Sequence, residues 1–144
     1  MFSKSPDERL SSWKEFRESL EISSDPLLDV IEYWNDCPFI PFNKNVDQYN
    51  PKAWPTPWDI IVENKYDDFT KALMMAWSLK YTERYSTSDI QVQILVDNAQ
   101  TLVYNVVCVD NKWILNYDDI KPVKAASVPD SFRLENLVVV ERPR

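Results

Sequence analysis

The sequence predicts an α+β domain in which N-terminal helices and a long central helix pack on an antiparallel sheet of about four strands. Three observations carry this. Helix-start signals followed by apolar residues at three-to-four spacing recur through the first half of the chain. Alternation of apolar and polar residues takes over after residue 89. Between helical segments, residues 37–57 are so rich in proline that regular structure is excluded there.

Ser5, Pro6 and Glu8 combine a capping hydroxyl, a proline at the first helical position and a glutamate three residues after the cap. Leu10, Trp13, Phe16 (or Arg17) and Leu20 follow at helical spacing, so a helix is expected over about residues 6–21. Asp25 and Pro26 repeat the signal, and Leu27, Leu28, Ile31 and Trp34 carry a second helix to about residue 35. Pro38, Pro41, Pro51, Pro55 and Pro57 are then interleaved with Phe39, Phe42, Tyr49 and Trp54, which predicts a loop packed on the body. Thr56 and Pro57 open a short helix over residues 58–63. The strongest helix is expected at 67–84, with Phe69, Leu73, Ala76, Trp77, Lys80 and Tyr81 on its buried face.

Ile90, Val92 and Ile94 alternate with Gln91 and Gln93, the mark of a half-buried strand. Residues 101–109 and 113–117 read as two more, joined by a tight hairpin at Asp110 and Asn111, residue types that tolerate positive φ where Gly is lacking. A fourth strand is expected at 137–140, after a short turn or helix near 129–134. No repeat or low-complexity tract interrupts the chain. It reads as one domain, 1–144: a helical part (1–36), the packed loop (37–57), and the central helix with its sheet (58–144).

Composition excludes several functions. None of the 144 residues is Gly, so no phosphate-cradling loop can form. None is His, which removes imidazole metal sites and the usual general base. The two cysteines, Cys37 and Cys108, lack metal-type spacing and are expected to stay free in a reducing compartment. A net charge of −7 disfavours direct binding to nucleic acid and suits either solubility alone or a basic partner. The first residues turn acidic at once, without the apolar core of a signal peptide, and no apolar run approaches the ~18 residues of a membrane span. The expected product is soluble and made in the cytoplasm, with no cofactor, metal or membrane partner.

A resemblance sharpens this. Ile31-Glu32-Tyr33-Trp34-Asn35, Phe42-Asn43, Asp47, Tyr49, Trp54 with Thr56-Pro57, and Lys65-Tyr66-Asp67-Asp68-Phe69 together resemble the bacterial transglutaminase-like cysteine proteinases. In that family a Trp-x-Thr-Pro turn opens a short helix, and a Gly-rich bend leads into Asp-Cys-Glu-Asp-Tyr at the head of the long helix. A later strand carries the His, and a hairpin ends in Val-Leu-Asp-Asn. The likeness spans roughly residues 31–117 and implies a transglutaminase-like core. It places the family's Cys on Tyr66, the following acidic pair on Asp67 and Asp68, the His on Tyr104 and the Asp on Asn116. The three replaced positions are expected to meet in one vestigial pocket. A phenol with a pKa of ~10 does not replace a thiol as acyl acceptor at neutral pH, and Tyr104 does not shuttle protons as imidazole does. The resemblance therefore implies a fold kept and an activity lost.

Several features carry a second reading. Cys37 or Cys108 as a rescued nucleophile competes with a small buried hydrophobe. Asp67, Asp68, Asp118 and Asp119 as a carboxylate site compete with helix-start and turn residues. Trp13, Trp34 and Trp77 fall on apolar stripes and read as core. Trp54 and Trp58, with Phe39, Phe42 and Tyr49, are candidate partner-binding residues, since aromatics on Pro-stiffened backbone lose little entropy on binding. The expected function is that of a noncatalytic structural or adaptor protein within a larger protein assembly. The small, acidic, Trp-rich, Gly-free chain resembles bacteriophage products, which makes a neck, tail or baseplate component the expected home, the host cytoplasm and then the virion its location. The alternative is a small acidic inhibitor or immunity-type protein that occupies a basic site. A third reading, residual enzyme activity through an unrecognised site, predicts turnover of a peptide or amide that is lost on changing Tyr66, Asp68 or Tyr104.

Overall fold

The computed structural model describes residues 1–142. Among them, four α-helices precede five strands: α1 (Pro6–Leu20), α2 (Pro26–Trp34), α3 (Pro57–Glu63) and α4 (Asp68–Lys80), then β1 (Ile90–Asp97), β2 (Leu102–Val109), β3 (Trp113–Leu115), β4 (Val123–Lys124) and β5 (Phe132–Val139). The sheet order is β4-β3-β2-β1-β5, with every neighbour antiparallel. This is the expected α+β architecture.

Each helix begins as its sequence dictates. The side chains of Ser5, Asp25, Thr56 and Asp67 accept the backbone N–H three residues on, and proline occupies the first turn of α1, α2 and α3. Thr56 and Asp59 close a reciprocal capping box. The buried Arg9 on α1 binds the far end of α3, donating from Nε to the Ile61 carbonyl at 3.1 Å and from Nη2 to that of Val62 at 2.8 Å. A cation at a helix C-terminus satisfies orphan carbonyls and opposes the dipole.

α4 is central in the literal sense. It touches α1 and α2 on one side and β1 and β2 on the other, and it is buried from Phe69 to Lys80 except at Lys71. It ends before the expected residue 84. Thr82 turns back to the Leu79 carbonyl, and the Glu21 carboxylate accepts the N–H groups of Glu83 and Arg84, both at 3.0 Å. Those contacts stabilise a turn where helical periodicity alone would continue.

The main core lies between the helices and one face of the sheet. Trp13 and Trp34 are fully buried there, and both indole N–H groups donate to Ser78 Oγ, at 2.9 and 3.0 Å. A smaller cluster of Leu95, Val106, Cys108 and Ile114 occupies the opposite face, covered by Val123, Val128 and Phe132. Asp110 and Asn111 take φ of 53° and 58° in the tight connection between Val109 and Trp113, which Lys112 N closes by donating to the Val109 carbonyl at 3.0 Å.

One strand expectation is corrected, while the two-residue β4 brings the sheet to five strands. The expected turn or helix near 129–134 and strand at 137–140 are largely one strand, β5, entered by a tight turn at 129–132. Its pairing with β1 shifts between Ile94 and Leu95, leaving Glu135 as an extra residue. A bulge resets the inside–outside alternation, so period two fails across β5 and conceals it. No helix is long and apolar enough to cross a membrane among the described residues.

Candidate functional site

The head of α4 is assembled by local chemistry. α3 ends at Asn64 with φ of 60°, a left-handed cap of the kind Gly usually supplies. The chain then runs beside the Pro-rich loop, where Tyr66 N donates to the Pro38 carbonyl at 3.1 Å and Ile40 N to the Tyr66 carbonyl at 2.9 Å. Asp67 ties loop to helix. Its Oδ1 accepts Thr70 N and Oγ1 at 2.7 and 2.6 Å, and its Oδ2 accepts Asn43 N at 2.9 Å.

Above this junction lies a cleft of about 470 Å³, lined by Pro41, Phe42, Lys44, Asp47 and Tyr49 of the loop, Asp67, Asp68 and Phe69 of α4, and Asn105 of β2. Phe42 and Tyr49 are largely exposed, at 74% and 58%. Asn105, which lines the cleft, has a buried amide oxygen without a hydrogen-bond partner. The cleft combines carboxylate and amide acceptors with one lysine and with exposed aromatic rings.

The three positions read as a vestigial catalytic set do not meet there. Tyr66 is fully buried among the helices, 5.8 Å from the Phe2 ring and 5.5 Å from the Trp34 ring, with no partner for its hydroxyl. Burial pushes that hydroxyl far above the ordinary phenol range, and the neighbouring Cys37 adds to this. Tyr104 lies on the opposite face of the sheet, packed on Tyr117 and Phe132 at 5.1 and 5.4 Å. Asn116, held at φ of 65°, donates from Nδ2 to the Asn105 carbonyl at 2.8 Å. The expected shared pocket of Tyr66, Tyr104 and Asn116 is thus corrected by strand alternation. Val107 and Val109 face the helices, so Asn105 does too, while Tyr104 is turned away. Sequence reading misses Asn105 because β2 is apolar on both faces, which leaves its parity open.

The remaining candidates divide among three places. Phe42 and Tyr49 border the cleft. Trp54 packs on Phe69 and Trp77 at 5.7 and 6.1 Å and lines a separate groove of about 370 Å³ beside β5. Trp58 lies edge-on to Trp13 and Tyr81 with 39% of its surface exposed, and Phe39 is exposed beside the Tyr66 bridge. Asp118 and Asp119 form turns, Asp118 accepting the N–H of Ile120. Among the described residues no three or more Cys, Asp or Glu side chains are grouped to hold a metal ion.

Neither thiol lines the cleft. Cys108 is buried on the outer sheet face and its thiol is raised by desolvation. Cys37 is half-buried, and desolvation, only partly opposed by Lys71, pushes it up to about 11. Because the thiolate is the reactive form, Cys37 in the native protein is expected to alkylate on the order of a hundredfold slower at pH 8 than in the unfolded chain. The rate should climb until about pH 11. A folded value above the unfolded one also means that the thiol's contribution to stability is complete below the unfolded pKa and fades as pH rises through the folded one. Iodoacetamide labelling of Cys108→Ser protein across pH measures this, and a rate plateau near pH 8 would overturn it.

No family model and no curated protein matches the sequence. Solved structures do match. Calcium-bound LapG of Legionella pneumophila superposes with a TM-score of 0.67 at 19% identity, covering 98% of this chain and 83% of that one. A second LapG structure from the same organism gives 0.69 at 18% identity, over 94% and 77%. At such identity the likeness is one of fold, and this chain has the α+β, transglutaminase-like fold seen in LapG.

Proposed function

We propose that the chain is a noncatalytic adaptor or structural protein, in which a transglutaminase-like fold is retained for protein contacts within a larger assembly. One observation carries this reading: the cleft at the head of α4 contains carboxylates, two amides, one lysine and aromatic rings, but neither a thiol nor an imidazole. Acyl transfer by such a fold needs a thiolate and a base within hydrogen-bond reach. Phe42 and Tyr49 instead supply exposed contact area at the cleft mouth, and aromatic anchors of this kind dominate binding energy at protein interfaces. The assembly we propose is a bacteriophage particle, with the chain in its neck, tail or baseplate.

The purified protein is expected to leave fluorogenic peptide and amide substrates at the buffer rate, and to be found by mass spectrometry in purified particles. Turnover that disappears on changing Tyr66, Asp68 or Tyr104 would overturn the noncatalytic reading, and recovery only as a free monomer would overturn the structural one. A second reading is favoured by the gathering of Asp47, Asp67 and Asp68 with exposed Phe42 and Tyr49 in one cleft. In it the protein is an acidic inhibitor that occupies a basic site. Its signature is a pull-down of a basic partner whose affinity falls steeply with salt.

A further inference from the structure

We infer that β5 is a self-association edge, through which two copies join about a two-fold axis into one continuous sheet. β5 is eight residues long and ends the sheet, and among the described residues only β1 pairs with it. Its outer row of N–H and C=O groups is therefore available to another extended chain. The side chains say which chain fits.

Phe132, Leu134, Leu137 and Val139 share the face that carries Leu95, because Glu135 is an extra residue at the bulge. Without the bulge, the odd and even positions would be split between faces. With it, the apolar positions are symmetric about the point between Glu135 and Asn136. An antiparallel copy centred on that point sets Leu134 opposite Leu137 of the other copy, and Phe132 opposite Val139, each twice. Leu134, Leu137 and Val139 are 47%, 42% and 48% exposed, so each has surface to lose. Cross-strand apolar pairs of this kind are the unit of sheet stabilisation, and a two-fold interface must be self-complementary in this way.

The other face of the strand agrees. The same register sets Arg133 of one copy opposite Val138 of the other. Val138 borders the groove formed with Trp54, Trp77, Pro55 and Glu141. The same register sets Glu135 opposite Asn136, so no like charges are opposed across the axis. The two-fold symmetry of the apolar positions on one face, with no like charges set opposite each other along the strand, selects a second copy of this chain.

The test is sedimentation equilibrium on the full chain, with circular dichroism to verify folding. Wild type is expected to show a concentration-dependent dimer. L134K and L137E are each expected to weaken dimerisation about tenfold or more, since each sets a charge against a leucine. The double variant L134K/L137E is expected to recover dimerisation, because in this register the two introduced charges face each other across the axis. A wild type that stays monomeric up to ~1 mM, single variants that are folded yet dimerise as well as wild type, or a double variant no better than the singles would each overturn the proposal.

Discussion

Trp34→Ala is expected to cost about 3–5 kcal/mol of unfolding free energy, a large part of what a domain of this size possesses. The side chain is fully buried, and its ring lies within 5.5 Å of the rings of Phe2, Tyr33 and Tyr66. Its removal leaves a cavity between α2 and α4 that the close-packed helices can fill only in part. The polar half of the same interaction is separable. Ser78 Oγ accepts both the Trp13 and Trp34 indole N–H groups while donating to the Met74 carbonyl at 2.7 Å. Ser78→Ala therefore strands two buried donors and is expected to cost about 2–4 kcal/mol although it removes a single atom. Denaturant titration of both variants, with the indole resonances followed by NMR, measures the two terms. A loss below ~1 kcal/mol for Ser78→Ala would show that the indole donors find other acceptors.

Tyr66 is expected to behave in the opposite sense when only its hydroxyl is removed. Tyr66→Phe should stabilise the fold by about 1 kcal/mol, because the buried oxygen has no hydrogen-bond partner and its desolvation is uncompensated. Tyr66→Ala, which also removes the ring between Phe2 and Trp34, should cost about 3–5 kcal/mol. The two variants distinguish a space-filling ring from a chemically useful phenol. Alkaline pH adds an independent readout. Burial raises the folded phenol above the unfolded value of ~10, so the stability it carries is complete below that pH and falls as pH rises beyond it. The difference between wild type and Tyr66→Phe in denaturation midpoint should therefore widen above pH 10. An unchanged difference, or a Tyr66→Phe variant less stable than wild type, would show that the hydroxyl is solvated or bonded in the native protein.

The helical half of the fold is legible because its signals are local. A capping side chain, a proline and a three-to-four stripe act within a few residues of one another, and Ser5, Asp25 and Thr56 do in the structure what their neighbours in sequence suggest, while Asp67, expected in the first turn of α4, caps it instead. The hairpin at Asp110 and Asn111 is legible for the same reason, since positive φ is a property of the residue type itself. The end of α4 is not, because it depends on the Glu21 carboxylate at the far end of α1. Nor is β5, whose alternation is broken by a bulge that exists only in its pairing with β1.

The candidate site follows the same division. Aromatic residues in the Pro-rich loop are identifiable as surface candidates from composition, and Phe42 and Tyr49 do border the cleft. Which residue of β2 reaches that cleft is not identifiable, because both faces of β2 are apolar and a shift of one residue exchanges Tyr104 for Asn105.

By itself the sequence determined where helices start, that Asp110 and Asn111 turn the backbone without glycine, and that no imidazole is present anywhere. Those are properties of single residues and their near neighbours. Only the tertiary structure decided that Tyr66 is sealed in the helical core, that Tyr104 faces away from it, and that Asn105 stands at the head of α4. Side-chain direction in a strand is settled by what each face packs against, here α4 on one side and Tyr117 and Phe132 on the other, and only the folded chain brings those partners to β2.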